Sequence, residues 1–414
     1  MMLLSPYRVL DLTSELGFLA GKIFGDLGAE VIKVELPTGD SSRQRPPFLK
    51  KGSGASQSLY WQAYNSNKRG VTLDLSQQRG RDLFLRLTKT ADFVIESFRP
   101  GTLQEWGLEY QTLNRENPGL ILVSITPFGQ EGPYRDFAAS DLEIMALSGA
   151  MSLAGEKDGE PMRGSVPQAP MWVGAEAVMG ALTALAYRSM TGRGQHVDVS
   201  AQVAVMAALA HAPAFWDLNR DNPQRAGIFV TGRSLRGAKM RVMWSCKDGW
   251  LNFIIYGGAA GRHTNQQLAA WMDERGMAPK WFMDIDWSTF TVTDIDQEAV
   301  NRLEAPIADF FSTLTKQEFL AGAMNRQILG YPVATVEDIY GDEQLRARAF
   351  WHEVNDPDSG VTLKHPGGFA IFNGERLQIR KLAPHIGQHN REVYQDDLGL
   401  SEREIVLLQR EGVI

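Results

Sequence analysis

The sequence predicts an α/β protein, a doubly wound parallel sheet accompanied by a smaller α+β domain. Three observations carry this. Short apolar strands alternate with amphipathic helices over the first 126 residues, the first βαβ unit closes within 35 residues, and the style changes beyond residue 220. Alternation of this kind puts parallel strands side by side with right-handed crossovers and helices on both faces. It is a Rossmann-like pattern in which ligands gather at the carboxyl ends of the strands.

The elements follow in order. Residues 8–13 (Arg-Val-Leu-Asp-Leu-Thr) read as a strand. Between Gly17 and Gly28, Phe18, Leu19, Ile23, Phe24 and Leu27 recur at helical spacing. Gly28 suits the helix end, and residues 30–35 return as a strand. The pattern repeats with strands at 70–75, 91–96 and 120–126 and helices at 79–87 and 110–117. Three helices are predicted at 140–147, 171–188 and 200–218, with a turn and short strand at 191–200. The Asn-, Pro-, Arg- and Gly-rich stretch 219–237 reads as a linker. Strands at 239–246 and 250–256 flank the Lys247-Asp248-Gly249 turn. Helices at 264–275, 297–314 and 316–325 follow, so the predicted domains are 1–220, 226–330 and a return segment 331–414. The return holds β-rich arms at 357–372 and two short helices after Gly387.

Composition narrows the function. At 414 residues, 43% hydrophobic and 22% charged, the chain can bury two cores and has an ordinary globular make-up. A net charge of −7 and a pI near 5.6 give no reason to expect nucleic acid. One cysteine, Cys246, excludes an internal disulfide and a multi-cysteine metal site, and a reducing cytoplasm is the expected location. Seven histidines show no metal-ligand spacing, so no metal is expected. The start of the chain lacks the charge-then-apolar pattern of a signal peptide. The most apolar window, 171–187, contains Glu176 and is expected to be a buried helix, not a membrane span. The first βα turn, Ser14-Glu15-Leu16-Gly17, lacks the three-glycine fingerprint, which argues against NAD or flavin.

A chain-long set of short motifs resembles a known family. They are Val9-Leu-Asp-Leu-Thr13, Leu27-Gly-Ala-Glu-Val-Ile-Lys-Val-Glu35 with Gly39-Asp40, and Asn67-Lys68-Arg69 ahead of Leu73-Asp74-Leu75. Further on come Ser97-Phe98-Arg99-Pro100-Gly101, Leu108-Glu-Tyr110, Phe128-Gly-Gln-Glu-Gly-Pro-Tyr134, Gly194-Gln195 with Val197-Asp-Val-Ser200, and the Gly387–Asn390 tail. In this order and spacing they resemble the family III CoA-transferases, the group of formyl-CoA transferase, carnitine CoA-transferase and α-methylacyl-CoA racemase. The resemblance implies a large domain formed by both chain ends, a smaller inserted domain, and two chains interlocked as a dimer. The substrate it implies is coenzyme A as an acyl thioester. The reaction it implies moves CoA from a donor such as succinyl-CoA to a carboxylic acid.

Residue by residue, the resemblance implies a CoA site at Leu16, Gly17, Asn67, Lys68, Ser97, Phe98, Arg99, Ser140 and Asp141. CoA carries a 3′-phosphate and a diphosphate, so cations and backbone amides at strand ends suit it. Leu16 stands where formyl-CoA transferase has a glutamine, and Ser140 where the racemases have the histidine of a His-Asp pair. Asp141 could also simply cap its helix. The transferases use an aspartate that forms an anhydride and then an enzyme thioester. Its matching position here is Pro170, and no Asp or Glu occurs from Pro161 to Ala175.

Three explanations stand at this point. The chain is a subunit beside a homologous, aspartate-bearing partner, or Glu176 or Asp141 supplies the carboxylate, or the protein binds or isomerises acyl-CoA without transfer. The family includes benzylsuccinate CoA-transferase, which pairs a chain with the aspartate and one without. The opening Tyr7–Gly17 is similar to the latter, which adds an aromatic dicarboxylate such as benzylsuccinate as acceptor.

Overall fold

A computed structural model describes residues 2–49, 57–357 and 360–414. It opens with β1 (Arg8–Leu12), α1 (Phe18–Asp26) and β2 (Glu30–Glu35). Next come β3 (Lys68–Thr72), α2 (Gln78–Thr88), β4 (Phe93–Glu96), α3 (Tyr110–Glu116) and β5 (Ile121–Thr126). Then α4 (Asp141–Leu147) and the long α5 (Ala169–Thr191) lead to β6 (His196–Ser200). The six strands form one parallel sheet in the order β3-β2-β1-β4-β5-β6. The chain winds outward from β1, then returns to the middle at β4. Between β1 and β4 lies the switch point at which such sheets bind ligands.

Strand alternation divides the core. Leu10, Leu12, Val94 and Leu122 face one side and pack with Leu83, Phe84 and Leu87 of α2 and Leu113 of α3. Val9, Phe93, Ile95, Ile121 and Val123 face the other side, with Phe24 of α1 and Val173, Ala177 and Ala181 of α5. Helix α5 is long and apolar enough, by length and composition, to cross a membrane. One of its faces is nevertheless buried in this core, through Val173, Gly174, Ala177, Val178, Ala181 and Ala184.

The C-terminal return covers the β3 edge. The Gly70 amide donates to His389 Nδ1 at 3.0 Å, and the His389 amide donates back to the Gly70 carbonyl at 2.9 Å. Asn390 accepts from the Thr72 amide at 2.9 Å, and the buried Tyr394 hydroxyl donates to the Thr72 carbonyl at 2.7 Å. An open strand edge is a template for unwanted pairing, and these contacts close it.

The chain divides into two compact units. One holds Met1–Met151, Arg163–Asp221 and Gln344–Ile414, and the other Ser152–Met162 and Asn222–Glu343. The second unit has its own antiparallel sheet, Met243–Cys246, Gly249–Phe253 and Gly330–Pro332, and its own core around Trp244, Trp271, Phe310, Phe311 and Phe319. The return therefore begins at 344 and not at 331, because Gly330–Pro332 is an edge strand of the second unit. The helix expected over 200–218 is two, Ala201–Ala208 and Ala212–Asn219. Pro213 sits in the first turn of the latter, where a missing N–H is harmless, but its ring blocks a continuous helix. The arms expected at 357–372 include a hairpin, Trp351–Asn355 with Thr362–Pro366, although residues 358–359 lie outside the described ones.

Asn390→Ala strips the Thr72 amide of its acceptor in a buried setting. Chemical denaturation should show a loss of about 1–3 kcal/mol, with Asn390→Asp milder because it keeps an acceptor.

Candidate functional site

Two turns meet at the switch point. After β1 the chain turns through Thr13–Gly17, and after β4 it leaves through Ser97 and Phe98. The Ser14 amide donates to Ser97 Oγ at 2.7 Å, and the two hydroxyls lie 3.0 Å apart. The structure thus brings Leu16, Gly17, Ser97 and Phe98 into one neighbourhood. Gly17 is required by space, since a Cβ there would sit 2.5 Å from Thr13 Cγ2. Leu16 is half-buried and packs on the core below. Phe98 meets Trp106 edge-on at 5.2 Å, leaving an aromatic wall beside the turn. The exposed Arg99 donates to Glu105 at 2.6 Å and lies 3.7 Å from Asp136. Glu15 of the same turn is paired with Arg45, whose guanidinium lies 4.8 Å over Tyr60.

The head of α5 joins the same region. Gly174 lies so close to α1 that an added Cβ would be 2.8 Å from Leu19 Cβ. Ser140 forms a capping box with Glu143 at the start of α4. Asp141 does something that neither the capping nor the catalytic reading of its own helix anticipated. Its Oδ1 accepts from the Gln168 amide at 2.6 Å and the Ala169 amide at 2.8 Å, so it caps α5. A carboxylate at a helix N-terminus also gains from the helix dipole. Pro170 is buried in the first turn of α5 and carries no side-chain oxygen. Glu176 lies six residues on, roughly 9 Å along the axis and on a different face.

Two predicted contacts require correction. The strand expected at 70–75 begins at Lys68, so Asn67-Lys68 is not an open turn presenting cations. Lys68 is fully buried, and its ammonium donates to Asp11 Oδ2 at 2.8 Å, Asn65 Oδ1 at 2.9 Å and the Phe18 carbonyl at 3.2 Å. All three of its donors are thereby engaged within the protein. Asn67, in the left-handed region at φ 62°, bonds Asp26 and the Gln378 carbonyl and accepts from the Arg380 and Lys381 amides. It fastens the return segment to the sheet.

Asp11 is buried between two lysines, 2.8 Å from Lys68 and 3.8 Å from Lys33. Burial alone would raise its carboxyl, but the two ammonium groups hold it below the usual range. Burial pushes Lys68 down to about 8, with Asp11 opposing and Lys33 adding to the fall. Asp11 also accepts from the Thr13 amide and hydroxyl, at 3.0 and 2.6 Å, and so shapes the first turn. A second buried acid, Glu96 at the end of β4, also escaped sequence reasoning. Only its place as the last polar residue of a predicted strand marked it. Among the described residues no cluster of His, Cys, Asp and Glu forms a metal site.

The comparisons with known proteins agree with one another. CoA-transferase family III matches residues 4–390. The chain is 33% identical to the BbsE subunit of succinyl-CoA:(R)-benzylsuccinate CoA-transferase from Thauera aromatica, across 99% of this chain and 98% of that one. It is 29% identical to the beta subunit of succinyl-CoA–L-malate CoA-transferase from Chloroflexus aurantiacus, across 99% and 98%. A CAIB/BAIF family protein from Brucella suis superposes with a TM-score of 0.80 at 29% identity, covering 94% of this chain and 98% of that one.

Lys68→Met leaves Asp11 buried with its closest counter-charge gone. Urea denaturation should show a loss of about 3–5 kcal/mol. A lysine that served only a ligand would leave the midpoint unchanged.

Proposed function

The chain belongs to CoA-transferase family III, and we propose that it is the nucleophile-free subunit of a heteromeric enzyme. That enzyme moves CoA from succinyl-CoA to a carboxylic acid, an aromatic dicarboxylate such as benzylsuccinate. The observation that carries this reading is the head of α5. Pro170 stands where the family resemblance calls for the aspartate, and the nearby Asp141 carboxylate is held by two backbone amides.

The chemistry explains why the gap matters. A carboxylate attacks the thioester carbonyl and expels CoA thiolate, leaving a mixed anhydride. The thiolate then attacks the enzyme's own acyl carbon, releasing the donor acid and forming an enzyme thioester. The acceptor carboxylate attacks that thioester and expels CoA thiolate, forming a second anhydride. The thiolate then attacks the acceptor's acyl carbon, releasing acceptor-CoA and the free enzyme carboxylate. Each step needs a carboxylate on the enzyme, and a proline cannot serve. In this reading the partner supplies it, while this chain offers the Ser97–Phe98 turn and Gly17 turn to CoA.

Two further findings support a partner. Both relatives described above are named as subunits. The outer faces of α5 and of the two helices after β6 expose Trp172 (45%), Met179 (59%), Met190 (78%), Val203 (63%) and Trp216 (51%). Exposed apolar surface of this kind marks protein interfaces. The interlocking of two such chains belongs to the same proposal.

Expressed alone, the chain should form no product from succinyl-CoA and benzylsuccinate, and co-expression with an aspartate-bearing homologue should restore transfer. Hydroxylamine added with acyl-CoA should mark only the partner. Full transfer by the single chain, or hydroxylamine capture at Asp141 or Glu176, would show the reading to be wrong. Acceptor-independent exchange of the acyl α-proton with deuterated water would instead identify an isomerase.

A further inference from the structure

We propose that Glu96 is a positioning residue, holding the Ser97–Phe98 turn, and through it the nucleotide end of a bound CoA thioester, from inside the sheet. The inference rests on the reading that CoA lies against this turn. Glu96 is 3% exposed and ends β4, and its Oε2 accepts from the Phe98 amide at 2.7 Å. That bond folds the acid over the two residues that follow it. It sets the backbone so that Ser97 Oγ meets the Ser14 amide and Phe98 meets Trp106.

The acid is not isolated. Across the sheet Glu96 stands in register with Ser124, which stands in register with Asp198. Ser124 Oγ lies 2.9 Å from His196 Nε2. Tyr110 of α3 stacks on the His196 ring at 5.8 Å. Glu96, Ser124, Tyr110 and His196 line a cavity of about 370 Å³, to which Arg99, Glu109, Glu131 and Arg135 also contribute. The cavity gives solvent a route to the proton on an otherwise buried acid.

Burial pushes the Glu96 carboxyl up to about 7, with Asp198 adding to the rise and the Ser124 and Phe98 hydrogen bonds opposing it. Burial pushes His196 down, leaving the imidazole neutral near pH 7. As pH rises through 7, Glu96 ionises and the Phe98 amide bond becomes charge-assisted, hence stronger. As pH falls the acid takes up a proton and the turn loosens. The grip on CoA therefore tightens with rising pH.

The test combines residue-resolved hydrogen exchange on the free chain with calorimetric binding of CoA, at pH 6 and pH 8. At pH 8, Glu96→Ala should lower protection of the Phe98 amide by about tenfold and weaken CoA by a similar factor. Glu96→Gln keeps an acceptor and should stay closer to the wild type, while losing the change in protection between pH 6 and pH 8. Unchanged Phe98 protection in Glu96→Ala, or the wild-type pH dependence persisting in Glu96→Gln, would overturn the proposal. If Glu96→Ala does not fold, the pH dependence of Glu96→Gln decides. If the exchange results hold and the wild-type chain takes up no CoA, Glu96 still positions the turn and the CoA reading is what fails.

Discussion

A single buried carboxylate ties the sheet to its first turn. Asp11 of β1 meets Lys68 of β3 and Lys33 of β2, and it also holds the Thr13 amide and hydroxyl. Three ionised side chains in a dry interior would be costly without mutual compensation. Here each lysine also finds backbone carbonyls, Lys68 at Phe18 and Lys33 at Thr13. Helix α1 must pass directly over the pair, and Gly21 permits it. A Cβ at that position would fall 2.1 Å from Asp11 Oδ2. The path of the chain from β1 through Gly17 thus depends on electrostatics beneath it as well as on the apolar core around it.

The site has the same character. Its two turns are held from inside, one by Asp11 and the other by Glu96, and they touch through Ser14 and Ser97. The third component, the head of α5, is held by Asp141 reaching across from α4. Acidic side chains do structural work at all three places by accepting backbone amides. A carboxylate so engaged is a poor nucleophile, because attack requires release from its hydrogen bonds. For Asp141, this is consistent with the proposal that a second chain supplies the nucleophile.

Much of the architecture was legible in the sequence. The strands of the parallel sheet are apolar runs bounded by turn residues, and the crossover rule leaves few ways to assemble them. The turn after Thr13 and the turn at Ser97 were both read from the sequence, and the structure joins them through the Ser14 amide and Ser97 Oγ. Lys68 was misjudged because two adjacent cations before a strand look like an exposed turn. The burial of Lys68 becomes apparent only when Asp11, 57 residues earlier, is placed alongside. Glu96 gave no local signal, since a glutamate ending a strand is ordinary until its neighbours close over it.

The sequence by itself therefore determined the α/β class, the family resemblance and the absence of a side-chain carboxylate at position 170. These depend on local pattern and on residue identity. Only the tertiary structure decided that Lys68 and Asn67 bond within the scaffold, that Asp141 caps α5, and that Glu96 accepts the Phe98 amide. For Lys68, Asn67 and Asp141 those roles arise from hydrogen bonds between residues far apart in the chain. Hydrogen bonds of that kind leave no periodicity to read.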